Sequence, residues 1–247
     1  MGRWSSLPRA TRWVVRVVRP PLMVLTRRDW RGVENFPSGG FVVAANHLSH
    51  LDPFVLSHFM VDNGVVPRFL TKDPLFRVKV IGSILRGAEM IPVYRSTSSA
   101  VDSLTAAVEA VREGKVVTIY PEGTITRDPD AWPMSGRTGA VRVALETGAP
   151  LVPVAQWGAQ EILWPYSNRL RLLPRKTIHV RVGEPFDLSD LQGREATEQE
   201  IAAATDRLMD TLTAMVADIR GELPTRPRID VHTLGTPRTS HDETEQT

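Results

Sequence analysis

Six short runs, most of them rich in Val and Ile, alternate with stretches of helical period and constrain this chain more than any other feature. Phe41 to Asn46, Pro67 to Thr71, Glu89 to Tyr94, Lys115 to Tyr120, Leu151 to Gln156 and Thr177 to Val182 have the length and composition of strands. Several are apolar enough to be buried on both faces, as in a parallel sheet. Between them, Val101, Leu104, Val108 and Val111 form a stripe that stops at Gly114, and Arg137 to Glu146 forms another that stops near Gly148. Ile201, Leu208, Leu212, Met215 and Ile219 line one side of a longer helix. This alternation predicts an α/β fold: a single domain with a largely parallel central sheet flanked by helices. The 247 residues suffice for one full core.

The first thirty residues differ in character. From Met1 to Arg31 there are eight arginines and a single acid, Asp29. Arg9, Arg12, Arg16 and Arg19 share one helical face, and Trp13, Val14, Val17 and Val18 take the other. Pro20 and Pro21 are expected to end this helix, followed by a short apolar piece from Leu22 to Leu25. No run approaches the roughly 18 apolar residues of a membrane span, and the arginines break any signal-peptide core. Two readings stay open for this segment: an interfacial helix on anionic lipid, or an amphipathic helix packed on its own domain. No nucleic-acid motif is present, so a nucleic-acid partner is not expected. Beyond Leu223 the chain is rich in Pro, Thr, Arg and acids, which predicts a disordered tail. The division is therefore 1–30 as a basic helical motif, 31–222 as the domain and 223–247 as the tail.

Chemistry concentrates at the ends of two predicted strands. Asn46-His47-Leu48-Ser49-His50-Leu51-Asp52 follows the run Phe41 to Ala45, and a His and an Asp so spaced suggest an imidazole held by a carboxylate. Asp52-Pro53 also reads as a helix start, with Asp as N-cap. The two roles are compatible, because an acid at a helix N-terminus is favoured as the anion. Tyr120-Pro121-Glu122-Gly123-Thr124 closes the second strand. His47, His50, Asp52 and His58 could also be metal ligands, but their spacing fits no standard zinc pattern, and no metal is expected. Without cysteine there is no thiolate nucleophile, and no G-x-S-x-G elbow or nucleotide-binding glycine motif occurs. A histidine base would then have to activate the substrate's own hydroxyl.

These segments resemble, in order, the conserved blocks of glycerophospholipid acyltransferases of the 1-acylglycerol-3-phosphate acyltransferase type. Asn46 to Asp52 looks like the first block, H-x-x-x-x-D. Phe69-Leu70-Thr71-Lys72-Asp73-Pro74-Leu75-Phe76, with Gly82 downstream, is similar to the lysine-containing connecting segment. Gly87 to Arg95 looks like the second block, Tyr120 to Thr124 the third, and Ala149 to Val154 the fourth. Two departures stand out: Ile125 and Thr126 follow Gly-Thr where the family usually has an arginine, with Arg127 displaced. Ser135-Gly136-Arg137-Thr138-Gly139 replaces a lysine-rich segment.

The resemblance implies a membrane-associated enzyme of phospholipid biosynthesis. It would transfer a fatty acyl group from acyl-CoA or acyl carrier protein, as co-substrate and with no cofactor, to lysophosphatidate or glycerol 3-phosphate. His47 would be the general base and Asp52 its orienting acid. Lys72, Arg95, Glu122, Gly123, Thr124 and Arg137 would meet the acceptor, with Arg95 on the phosphate and Glu122 receiving glycerol hydroxyls or a cation. The N-terminal helix would then dock on anionic lipid at the cytoplasmic face of the membrane, with Val14, Val17 and Val18 towards acyl chains. The acyl channel would run between a Lys72–Arg86 helix and the site. The alternatives are a non-catalytic lipid-binding protein that keeps the fold and a metal-dependent phosphoesterase.

Overall fold

The computed structural model describes residues 7–93 and 97–233, and of residues 97–101 the backbone only. Among the described residues the strands are β1 (Thr26–Arg31), β2 (Phe41–Ala45), β3 (Pro67–Lys72), β4 (Ile91–Val93), β5 (Val116–Ile119), β6 (Leu151–Trp157) and β7 (Lys176–Val182). They form one sheet in the order β1-β7-β6-β2-β5-β3-β4. All neighbours run parallel except β6 and β7, so the sheet is largely parallel with one reversal near its edge. The helices are α1 (Arg9–Leu25), α2 (Asp52–Asp62), α3 (Asp73–Arg77), α4 (Lys79–Gly87), α5 (Thr97–Arg112), α6 (Gly139–Thr147), α7 (Ala159–Ile162) and α8 (Glu198–Arg220).

Strand β2 is central, and every one of its residues is buried. Val42 and Ala44 join Val108, Val141 and Leu208 on the face covered by α5, α6 and α8. Phe41, Val43 and Ala45 join Leu56, Phe59 and Ile178 on the opposite face, under α2. A strand covered on both sides needs no polar alternation, which is why Phe-Val-Val-Ala-Ala is apolar throughout. Because β2 pairs in parallel with both β5 and β6, the carboxyl ends of all three strands open at one edge of the domain. In open parallel sheets that edge is where ligands bind.

The N-terminal motif does not end at residue 30 as a separate unit. β1 pairs along its whole length with β7, from Thr26 opposite Lys176 to Arg31 opposite Arg181. Nor do Pro20 and Pro21 end the helix; both lie inside α1. The two prolines face solvent, where the carbonyls they leave unpaired can meet water, while residues around them are tied to the domain. Val15 packs with Leu7 and Val61, and Arg19 donates to Asp62 of α2 from Nε and Nη2 at 2.9–3.2 Å. The expected Lys72–Arg86 helix is two helices broken at Val78, whose extended backbone separates α3 from α4. Gly82 permits that fold-back, since a Cβ there would stand 2.0 Å from the Phe76 carbonyl oxygen.

Residues 223–233 are not detached either. Ser135 N donates to Ile229 O, Val231 is buried, and Arg226 pairs with Asp130. Polar composition predicted a free tail, but the apolar Ile229 and Val231 seat this stretch on the loop before α6.

Candidate active site

His47 lies two residues beyond β2, and its ring is fixed by two contacts. Nδ1 stands 2.9 Å from Asp52 Oδ2, and the ring stacks on Tyr120 with centroids 4.2 Å apart. The backbone is held as well: His47 N–H donates to Glu122 Oε1 at 2.8 Å, and Thr126 N–H donates to His47 O at 2.8 Å. Strand β2 itself is pinned at this end by a reciprocal amide pair. Asn46 Oδ1 accepts from Gln156 N–H, Asn46 Nδ2 donates to Gln156 O, and Gln156 Nε2 donates to Asn46 O.

Asp52 is fully buried as the first residue of α2, one position later than the N-cap role expected for it; Leu51 is the N-cap. Its side chain turns back instead of capping its own helix. Oδ2 accepts from Leu48 N–H, from Ser49 N–H at 2.8 Å and from the His47 ring. A carboxylate beside Nδ1 makes that nitrogen the donor in neutral imidazole and leaves Nε2 with the free lone pair. The imidazole remains partly accessible, its side chain 15% exposed. A buried acid, an oriented imidazole and an open Nε2 can together take a proton from an incoming hydroxyl.

Glu122 occupies a different place from the one expected. It is 1% exposed, and its two oxygens accept from His47 N–H and Met134 N–H. Burial raises its pKa to about 8 against the opposing pull of those two amides. With each oxygen bonded to a backbone amide and its side chain buried, Glu122 locks the His47 segment to the loop 120–134. Gly123 follows in a turn closed by Gly123 N–H to Tyr120 O, with φ at +67°. A Cβ on it would lie 3.0 Å from Arg137 Nε, so the missing side chain makes room for the guanidinium. Thr124 continues the same turn, half-buried.

Arg137 was expected inside a helix. It sits before α6 because its N–H donates to Pro121 O, and this swings its side chain over Gly123. The guanidinium forms no ion pair among the described residues. Ile125, which takes the place of the family's usual arginine, is buried, and its carbonyl accepts from Tyr166 Oη at 2.8 Å. Lys72 ends β3, exposed, and contributes to lowering the pKa of His50, behind burial and His47. Arg95 lies outside the described residues. His58 turns away from the site, 3.4 Å from Asp62 and edge-on to Trp30. Among the described residues no three His, Asp or Glu side chains converge as a metal donor set. An open cleft of about 440 Å³ lies beside α3, α4 and β4, lined by Phe76, Met90, Pro92, Asp73, Arg77 and Arg86.

Sequence reasoning missed Asn46, Gln156, Thr126 and Met134, which hold the site by backbone contacts. Asn46 and Thr126 flank motif residues, which was the available signal; Gln156 and Met134 carried none.

The family model for acyltransferases matches residues 27–157. The chain is similar to the 1-acyl-sn-glycerol-3-phosphate acyltransferase of Bacillus subtilis (strain 168), 31% identical over 179 residues that cover 71% of this chain and 81% of that protein. It is also similar to the chloroplastic 1-acyl-sn-glycerol-3-phosphate acyltransferase BAT2 of Brassica napus, 33% identical over 140 residues. That match spans 56% of this chain and 39% of the plant protein. The crystal structure of PlsC from Thermotoga maritima, titled a 1-acyl-sn-glycerophosphate acyltransferase, shares the fold with a TM-score of 0.65 at 21% identity, covering 87% of this chain and 81% of that one. The chain belongs to the acyltransferase family, among relatives named 1-acyl-sn-glycerol-3-phosphate acyltransferases.

Proposed function

We propose that this protein transfers a fatty acyl group from a thioester, acyl-CoA or acyl carrier protein, to a free hydroxyl of lysophosphatidate, with glycerol 3-phosphate as the second candidate acceptor. The observation that carries the reading is His47, oriented by a buried Asp52 and clamped at its own amide and carbonyl. His47 Nε2 takes the hydroxyl proton as the oxygen attacks the thioester carbonyl. Collapse of the tetrahedral adduct expels the thiolate, and the imidazolium returns the proton to it, so ester and free thiol are the products. Asp52 stabilises the imidazolium between these steps. Arg137, standing over Gly123, grips the acceptor phosphate in the place that Ile125 vacates, and Lys72 and Arg95 supply further positive charge. The cleft beside α3 and α4 takes the acyl chain or the donor.

No described helix is long and apolar enough to cross a membrane. Trp13, Val17 and Val24 of α1 face outwards, as do Leu75 of α3, Val80 and Ile81 of α4, and Val78 at the break between them. Since α1 packs on α4, with Ala10 against Gly87, these residues support docking on a bilayer, which we place at the cytoplasmic face. Of the three valines expected to face acyl chains, Val17 is exposed and Val14 and Val18 are half-buried, while Trp13 and Val24 are more exposed than any of them.

The test is direct. Purified protein is incubated with palmitoyl-CoA or palmitoyl-acyl carrier protein and each acceptor, and products are identified by mass spectrometry. Phosphatidate from lysophosphatidate is the expected product. Thioester hydrolysis without transfer to any phosphorylated acceptor would refute the reading.

A further inference from the structure

The segment between α7 and β7 has a surface that the catalytic reading does not use, and it lies beyond the residues matched by the family model. Trp164, Tyr166, Leu170, Leu172 and Leu173 are all exposed there, Leu173 to 78%. No acidic residue occurs from Ile162 to Gly183, while Arg169, Arg171, Arg175 and Lys176 all fall within it. Exposed apolar side chains clustered in this way, and rimmed by basic ones, mark an interaction surface.

Its geometry is defined. Leu163 bridges to Leu170, and Arg171 N–H donates to Ile162 O, which closes a hairpin. Two bonds fasten that hairpin to the active-site segments: Ser49 Oγ donates to Leu163 O at 2.8 Å, and Tyr166 Oη donates to Ile125 O. At its far end Arg175 Nη2 donates to Met23 O and Thr26 O, joining it to the end of α1, where Val24 is 68% exposed. One end of the hairpin therefore lies beside the exposed end of α1, and the other beside the segments that carry the His47 site.

We propose that the hairpin 163–175 is a second membrane-docking element, seated in the interface of an anionic bilayer. Trp164 and Tyr166 are the residue types that favour the headgroup level. The leucines reach below it, and Arg169 and Arg171 meet lipid phosphates. Together with α1 the hairpin fixes the tilt of the domain, so that the strand edge carrying His47 faces the lipid. The proposal rests on the membrane reading given above. Charge alone would also suit an acidic protein, but exposed Leu170, Leu172 and Leu173 favour hydrocarbon.

The experiment is sedimentation of the full chain with vesicles of phosphatidylcholine and phosphatidylglycerol. It compares the wild type with a triple variant (Leu170→Ser, Leu172→Ser, Leu173→Ser), with Arg169→Gln/Arg171→Gln, and with Trp13→Ser/Val17→Ser in α1. Melting curves confirm folding of each. The triple variant is expected to bind about tenfold more weakly or worse, with acyl transfer in detergent micelles unchanged. The arginine variant should show a weaker preference for phosphatidylglycerol than the wild type. Wild-type binding by both hairpin variants, alongside loss in the α1 variant, would overturn the hairpin and leave acyl transfer untouched. So would normal vesicle binding with slower transfer from acyl carrier protein alone. No binding by the wild type would overturn both docking elements, and the micelle assay would judge acyl transfer separately.

Discussion

At the scale of single residues, the site is a study in backbone capture by carboxylates. Asp52 gathers two amides and the imidazole on one oxygen, and Glu122 spends both of its oxygens on amides twelve or more residues away in sequence. The pKa of Glu122, raised by burial to about 8, has a testable sign. A carboxyl whose folded pKa lies above its unfolded value retains a proton on folding between the two. Its stabilising contribution is thus full below about 4.5 and is lost as pH climbs through about 8. Glu122→Gln, a neutral mimic, is expected to flatten this component, so that its melting temperature falls by several degrees less than that of the wild type between about pH 5 and about pH 8. Arg137 makes a different prediction. Without an ion-pair partner among the described residues, its guanidinium should act in binding. Arg137→Ala is expected to raise the acceptor's KM by about 10–100-fold while kcat stays within about threefold. Steady-state kinetics at varied lysophosphatidate would check both numbers.

Among the elements, α1 and β1 show where sequence patterns were legible and where they were not. The buried runs of β2, β5 and β6 announced themselves, because strands covered on both faces carry an unbroken apolar signal. β1 is Thr-Arg-Arg-Asp-Trp-Arg, an edge strand held by cross-strand charge: Asp29 accepts from Arg181 and pairs with His179 on β7. No apolar alternation marks such a strand, and its partner lies 150 residues on. The arginine stripe of α1 misled in the same way. Read along the helix it was one continuous basic face, but Arg19 turns inward to Asp62, whose side chain is only 7% exposed. Removing the acid leaves a guanidinium at the α1–α2 contact without this carboxylate, at a cost of about 1–3 kcal/mol. Asp62→Ala should therefore speed tryptic cleavage within α1, whereas Arg16→Ala, at an exposed position, should not protect or expose the remaining sites. Limited proteolysis followed by mass spectrometry reads both.

For the molecule as a whole, parallel pairing of β2 with β5 and β6 delivers His47, Glu122 and Gln156 to one edge, although 75 residues separate His47 from Glu122. The motif order along the chain indicated which segments would meet. It could not say that Glu122 would face the backbone rather than the cleft, because that depends on Met134 arriving from a loop with no sequence signature. The same loop carries Arg137 to Gly123 by a single bond to Pro121 O, which removes Arg137 from the helix its apolar neighbours suggested. The account stands on proton abstraction by His47, and His47→Ala, assayed with lysophosphatidate and palmitoyl-CoA beside the wild type, tests it most directly. It predicts a loss in kcat of about 10²–10⁴ with an unchanged melting curve. A folded His47→Ala protein that turns over at the wild-type rate would contradict it.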